Sequence, residues 1–310
     1  MNAELEDIIK GSIVGLLIGD ALGYPYSGKK VPPQKINFII GPDGEEPGVY
    51  QGPSSLALCT MASINECRGI MPDDIVEKFN DFLIAGYLGA SEDCSDLSEV
   101  TIAAIKNYNN GMPPDKCGIR EKNDNECLVR MLPVALDCVC DPLEVIIEKV
   151  HQVCGITHAE IISKVTCTIF CLIVKTLISQ KPEKVFDVLG DYYKTKKMDE
   201  YFRVLQNLKD WKNRDIIVRE SASGKDVADC FWSAWAAYSK FETDFRLCVT
   251  SVISLGNDAN STGAVAGSLA GLANGLSNIP PEWLSTIVLS SEAMEVIQSF
   301  TDSTIGKINK

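Results

Sequence analysis

The chain has 310 residues, 45% hydrophobic and 23% charged, which supplies a large core and excludes a disordered polypeptide. Its formal charge of −13 repels phosphate backbones and anionic lipid, so neither nucleic acid nor a membrane surface is an expected partner.

In chain order, apolar residues recur at helical spacing and strand-like alternation is scarce, so an all-α fold is expected. The acidic start, residues 1–7, leads into a stretch broken by Lys10, Gly11, Gly15 and Asp20, unlike an export signal. Helices are predicted over 4–22, 55–67, 72–88, 97–108, 143–153, 159–179, 184–193, 226–240, 243–255 and 262–276. Turn chemistry separates them at 41–44, 52–53, 111–114 and 278–281, and no segment is long enough for an interdomain linker, so 1–310 is expected to be one domain. The polar stretch 211–225 reads as a surface excursion. The longest apolar run, 161–178, is interrupted by Lys164 and Lys175, short of the roughly 18 uninterrupted residues of a membrane span. A cytoplasmic location follows as an expectation, with the twelve cysteines as reduced thiols. Cys59, Cys167, Cys171, Cys230 and Cys248 fall at core-like helical positions. The close pairs Cys138/Cys140 and Cys167/Cys171 contain no Cys-x-x-Cys, and only His151 and His158 accompany them, so buried thiols are preferred to zinc ligands.

Glycine recurs every fourth residue at Gly11, Gly15, Gly19 and Gly23, and again at Gly263, Gly267, Gly271 and Gly275. This spacing lines one helix face with bare backbone. Each mid-helix glycine costs about 1 kcal/mol relative to alanine, so close helix packing is the expected compensation.

These two segments carry a resemblance. Gly11-Ser-Ile-Val-Gly15-Leu-Leu-Ile-Gly19-Asp20-Ala-Leu-Gly23-Tyr-Pro25 resembles the opening motif of the ADP-ribosylglycohydrolases. Gly256-Asn-Asp258-Ala-Asn260-Ser261-Thr is similar to that family's G-G-D-x-D-T loop, which heads a glycine-rich helix. Between them, 125–133 resembles N-G-x-x-M-R-x-x-P and Thr157-His158 resembles the T-H motif. The resemblance implies a compact orthogonal bundle of helices around a cleft for ADP-ribose and two magnesium ions.

The same resemblance implies site residues: Asp258, Asn260, Ser261 and Ser54 toward metal, and Asn125, His158, Gly256 and Asp20 toward the ligand. Several metal-binding acids of the family are missing. Gln51-Gly52-Pro53-Ser54 stands where T-D-D-T is expected, Asn260 replaces the second loop aspartate, and Ser27 occupies another acid position. Ser54 reads more simply as a helix N-cap. Asp258 is the one expected metal carboxylate, so weakly held magnesium or none is anticipated, and no catalytic residue is assigned. The segment 122–126 carries Asp124 and Glu126 where the family's pyrophosphate cradle has glycine. The expectation is a family member with impaired hydrolysis whose cleft binds an ADP-ribose-like ligand or a protein partner, such as an ADP-ribosylated protein. The alternatives are a hydrolase with a rearranged site, drawing on Asp20, Asp124, Glu126, Asp226 or Asp229, and a structural protein without ligand.

Overall fold

Helices supply the regular structure of the residues described by the computed structural model, 2–91, 96–180, 184–211 and 225–309. In chain order they are α1 (Asn2–Gly23), α2 (Gly52–Cys67), α3 (Pro72–Ala85), α4 (Glu99–Asn109), α5 (Pro114–Cys117), α6 (Glu126–Val129), α7 (Met131–Asp137) and α8 (Leu143–Gly155). There follow α9 (Ile161–Ser179), α10 (Val185–Thr195), α11 (Asp199–Trp211), α12 (Val227–Lys240), α13 (Phe245–Ile253), α14 (Ala259–Asn274), α15 (Pro281–Leu284) and α16 (Ser291–Ile308). Two isolated β-bridges, Ile119 with His158 and Asp124 with Asp226, join loop segments. The all-α expectation holds.

The glycine faces are the centre of the bundle. α1 and α14 run antiparallel with Gly11 on Gly271, Gly15 on Gly267, Gly19 on Gly263 and Gly23 on Ala259. A Cβ added at any of these glycines would fall closer than 3.0 Å to facing backbone, so no side chain fits between the helices. One continuous apolar cluster surrounds this pair, from Ile9 and Ile13 on α1 to Ile297 and Phe300 on α16. α9 is apolar enough by composition to cross a membrane, with a mean hydropathy of 2.0, but residues 165–174 are buried inside the bundle. It packs against α7, α8, α11 and α12.

Several boundaries differ from the sequence expectation for local reasons. α2 begins at Gly52, with Gln51 as its N-cap, so Ser54 lies in the first turn and is not the cap. α3 stops at Ala85 because Gly86 turns left-handed, with φ +69°. α9 starts at Ile161, since the Ala159 N–H is taken by the Ile119 carbonyl at 3.0 Å. α7 went unpredicted because Pro133 reads as a breaker, yet it stands in the first turn, where its missing N–H has no helical partner to lose. α11 and α16 were also unforeseen. α16 is capped by Ser290, which accepts from the Ala293 N–H, and buries a narrow face of Ala293, Ile297, Phe300 and Thr304 within an otherwise polar sequence. Of the expected excursion at 211–225, residues 212–224 lie outside the described residues.

Candidate functional site

A cleft of about 620 Å³ opens beside the heads of α2 and α14. Its walls come from the turn after α1 (Tyr24, Ser27, Gly28), Pro53 of α2, the segment 96–98, the segment 124–126, and 257–261 with Lys225.

Backbone contacts fix these segments. The Gly28 N–H donates to the carbonyls of Gly256 (3.0 Å) and Asn257 (2.8 Å). Gly256 has φ +87° and packs onto the Lys29 backbone, so only glycine fits at both the angle and the contact. At the head of α2 a Cβ on Gly52 would strike the Asp96 carbonyl. Gly52 therefore seats the chain at Asp96 directly on the helix. The segment leading to Asn125 is held by the Ile119 N–H on the Thr157 carbonyl (2.8 Å) and the Val227 N–H on the Asn123 carbonyl (2.9 Å).

The side chains make an acidic interior with its own internal bonding. Asp258 Oδ2 accepts from Asn125 Nδ2 at 2.6 Å, and Ser27 Oγ donates to Asn260 Oδ1 at 3.2 Å. Asn260 Nδ2 reaches Asp96 Oδ2 at 3.4 Å. Burial raises the Asp96 carboxyl above its ordinary value, and repulsion from Asp258 and Glu45 adds to the rise. Burial also raises Asp258, with the Asn125 and Ser261 hydrogen bonds opposing. Glu126 is pushed up to about 7 by desolvation, although Thr101 Oγ1 and the Ser98 N–H donate to it. Burial works against the charge of Asp124, but the hydrogen bond and pull of His158 outweigh it and hold that carboxyl low.

Of the residues expected toward metal, Asp258, Asn260 and Ser261 line the cleft together, while Ser54 is fully buried behind it. Of those expected toward the ligand, Asn125 lines the cleft. His158 is fully buried one layer back, with Nε2 on Asp124 Oδ1 and Nδ1 on Thr157 Oγ1, both at 2.7 Å. Gly256 shapes the turn. Asp20 lies beneath the floor, accepting from the Gln51 N–H at 3.1 Å. Of the other acids considered, Asp124 and Glu126 face the cleft, whereas Asp226 caps α12 through the Ala228 and Asp229 N–H groups. Asp96 was missed. It belongs to no motif, and an acid two residues before the N-cap Ser98 carries no spacing signal.

The profile of the ADP-ribosylglycohydrolase family matches residues 1–308. The chain is 25% identical over 305 residues to "ADP-ribosylarginine hydrolase Tri1" of Serratia proteamaculans (strain 568), covering 93% of this chain and 77% of that protein. It is 24% identical over 296 residues to "ADP-ribosyl-[dinitrogen reductase] glycohydrolase" of Rhodospirillum rubrum, covering 93% and 92%. In fold it is similar to a solved "ADP-ribosylglycohydrolase-related protein complex", with a TM-score of 0.72, 21% identity, and coverage of 97% of this chain and 99% of that one.

Proposed function

The chain belongs to the ADP-ribosylglycohydrolase family, and from that premise we propose that its cleft takes an ADP-ribosyl group and hydrolyses its glycosidic bond using carboxylates recruited from new segments. The observation that carries this reading is Asp96, whose carboxyl reaches the Asn260 side of the cleft from above the acid-free head of α2. Asp96, Asp124, Glu126 and Asp258 line one space, which supports this reading.

The donor set supports one divalent cation and does not fit two. Gly52 and Pro53 carry no side-chain oxygen, and Ser54 Oγ is turned inward beside Asp20. Asp96, Asp258, Asn260 and Ser261 are hard oxygen donors of the kind magnesium takes, and a bound cation would offset the burial that raises the two carboxyls. A cation held there supplies positive charge to a cleft that otherwise has Lys225 on its rim.

Glycosidic cleavage also needs a carboxyl that keeps its proton near neutrality to protonate the leaving group. Glu126, 7% exposed and raised to about 7, meets that requirement. Asn125 orients Asp258, and the Asp124–His158 pair steadies the segment that carries both Asn125 and Glu126.

The test is release of ADP-ribose from an ADP-ribosylated arginine peptide by the purified chain. Turnover is expected, falling about 100-fold or more in Asp96→Asn and Glu126→Gln, on the scale of losing an acid catalyst. The parent rate should decline as pH rises through about 7, where Glu126 loses its proton. Folded protein that releases nothing, or an Asp96→Asn variant with full activity, overturns the proposal. The second reading, a ligand-binding protein without turnover, is favoured by the acid-free Gly52-Pro53 turn and predicts stabilisation by ADP-ribose with no release.

A further inference from the structure

Behind the 124–126 wall three thiols from three helices converge: Cys127 of α6, Cys154 in the last turn of α8 and Cys167 of α9. All are fully buried, and their sulfur atoms lie within 4.8 Å of one another, with Cys127 and Cys167 at 3.8 Å. A single buried cysteine is ordinarily a small hydrophobe. Three sulfurs within 4.8 Å of one another stand close enough to share one ion. Thiolates bound at about 2.3 Å to a common cation stand about 3.8–4.0 Å apart in tetrahedral or trigonal arrangement.

The surrounding charge points the same way. Arg130 is fully buried and donates through Nη2 to Thr157 Oγ1, yet its Nε and Nη1 find no hydrogen-bond partner among the described residues. A buried guanidinium in that state favours negative charge nearby. Cys154 lies within electrostatic reach of both Arg130 and Lys164.

We propose that Cys127, Cys154 and Cys167 form an all-sulfur site for a thiophilic closed-shell cation, Cu+ or Zn2+, that ties α6, α8 and α9 together behind the cleft. Soft thiolates select such ions. Two thiolates and one thiol around Cu+, or three thiolates around Zn2+, leave a net charge of −1, which Arg130 balances. The displaced thiol protons, two or three, go to solvent as the sulfur–metal bonds form, and nothing is oxidised. With all three sulfurs sealed from solvent, loading accompanies folding. The site braces the cleft through its neighbours in sequence, since Cys127 follows Glu126 and Cys154 Sγ lies 3.6 Å from the His158 carbonyl oxygen.

The test uses the full chain with Cys67, Cys94 and Cys140 changed to serine, produced in cells supplied with copper in one arm and zinc in the other, and purified anaerobically. Native mass spectrometry is expected to find about one cation per chain in at least one arm, and the arm that loads identifies the ion. X-ray absorption should report a shell of sulfur alone at about 2.3 Å. Cys127→Ala and Cys154→Ala should each lower occupancy at least tenfold with helical circular dichroism retained. If these variants do not fold, the sulfur shell of the parent decides. Occupancy below a tenth in both arms, nitrogen or oxygen in the shell, a disulfide among the three cysteines, or metal that survives Cys154→Ala overturns the proposal.

Discussion

Asp20 is a fully buried carboxyl whose Oδ2 accepts from the Gln51 N–H. Burial therefore pushes it up to about 7, with Ser54 and the Gln51 N–H opposing. Because its proton is held more tightly folded than unfolded, its contribution to stability is complete below about pH 4 and is lost as pH rises toward about 7. Glu126 acts with the same sign in the same window. Chemical denaturation from pH 4 to 8 should show the parent weakening across that window and Asp20→Asn weakening distinctly less. Equal slopes would mean that Asp20 is already charged in the folded protein. At this scale the motif residues Asp258, Asn260, Ser261 and Asn125 were legible, because their spacing survives in the sequence. Asp96 was not, because its place depends on contact with Gly52, a relation between distant residues that no local pattern encodes.

Among the elements, α1 and α14 show how a repeated residue type fixes a packing distance. Four-residue glycine spacing was sufficient to anticipate their contact face, and the register follows from which glycine meets which backbone. Gly267→Ala places a methyl group against the Gly15 carbonyl, which rigid helix backbone cannot vacate. A loss of about 3 kcal/mol in denaturant unfolding is expected, the upper range for overpacking. A change below 0.5 kcal/mol would show that the helices can part. Elsewhere the limits of local reading are physical. α16 was missed because its apolar face is narrow, and the start of α2 because Gly52-Pro53 reads as a turn even though proline is tolerated in a helix's first turn.

For the whole molecule, the cleft joins segments that the bundle holds together from both ends of the chain, so ligand and cation should report on global stability. A ligand at 100 times its dissociation constant adds about 2.7 kcal/mol. Magnesium with ADP-ribose is expected to raise the melting temperature, and more so at pH 8 than at pH 5, since Asp96 and Asp258 hold their protons above the ordinary range and must release them to bind. The magnesium increment should vanish in Asp96→Asn. A shift that is independent of pH, or unchanged in that variant, would place the cation elsewhere.

The interlocked pair α1 and α14 also bears on how the protein is made. α1 leaves the ribosome before α14 and meets that close-fitting partner only after the helices between them have been synthesised. Loop closure over that separation is entropically slow, and until it happens the bare glycine face of α1 has no backbone to rest against. Assembly of the bundle's centre thus waits for synthesis of α14, and nascent chains truncated before α14 would present an uncovered helix to whatever chaperones attend them.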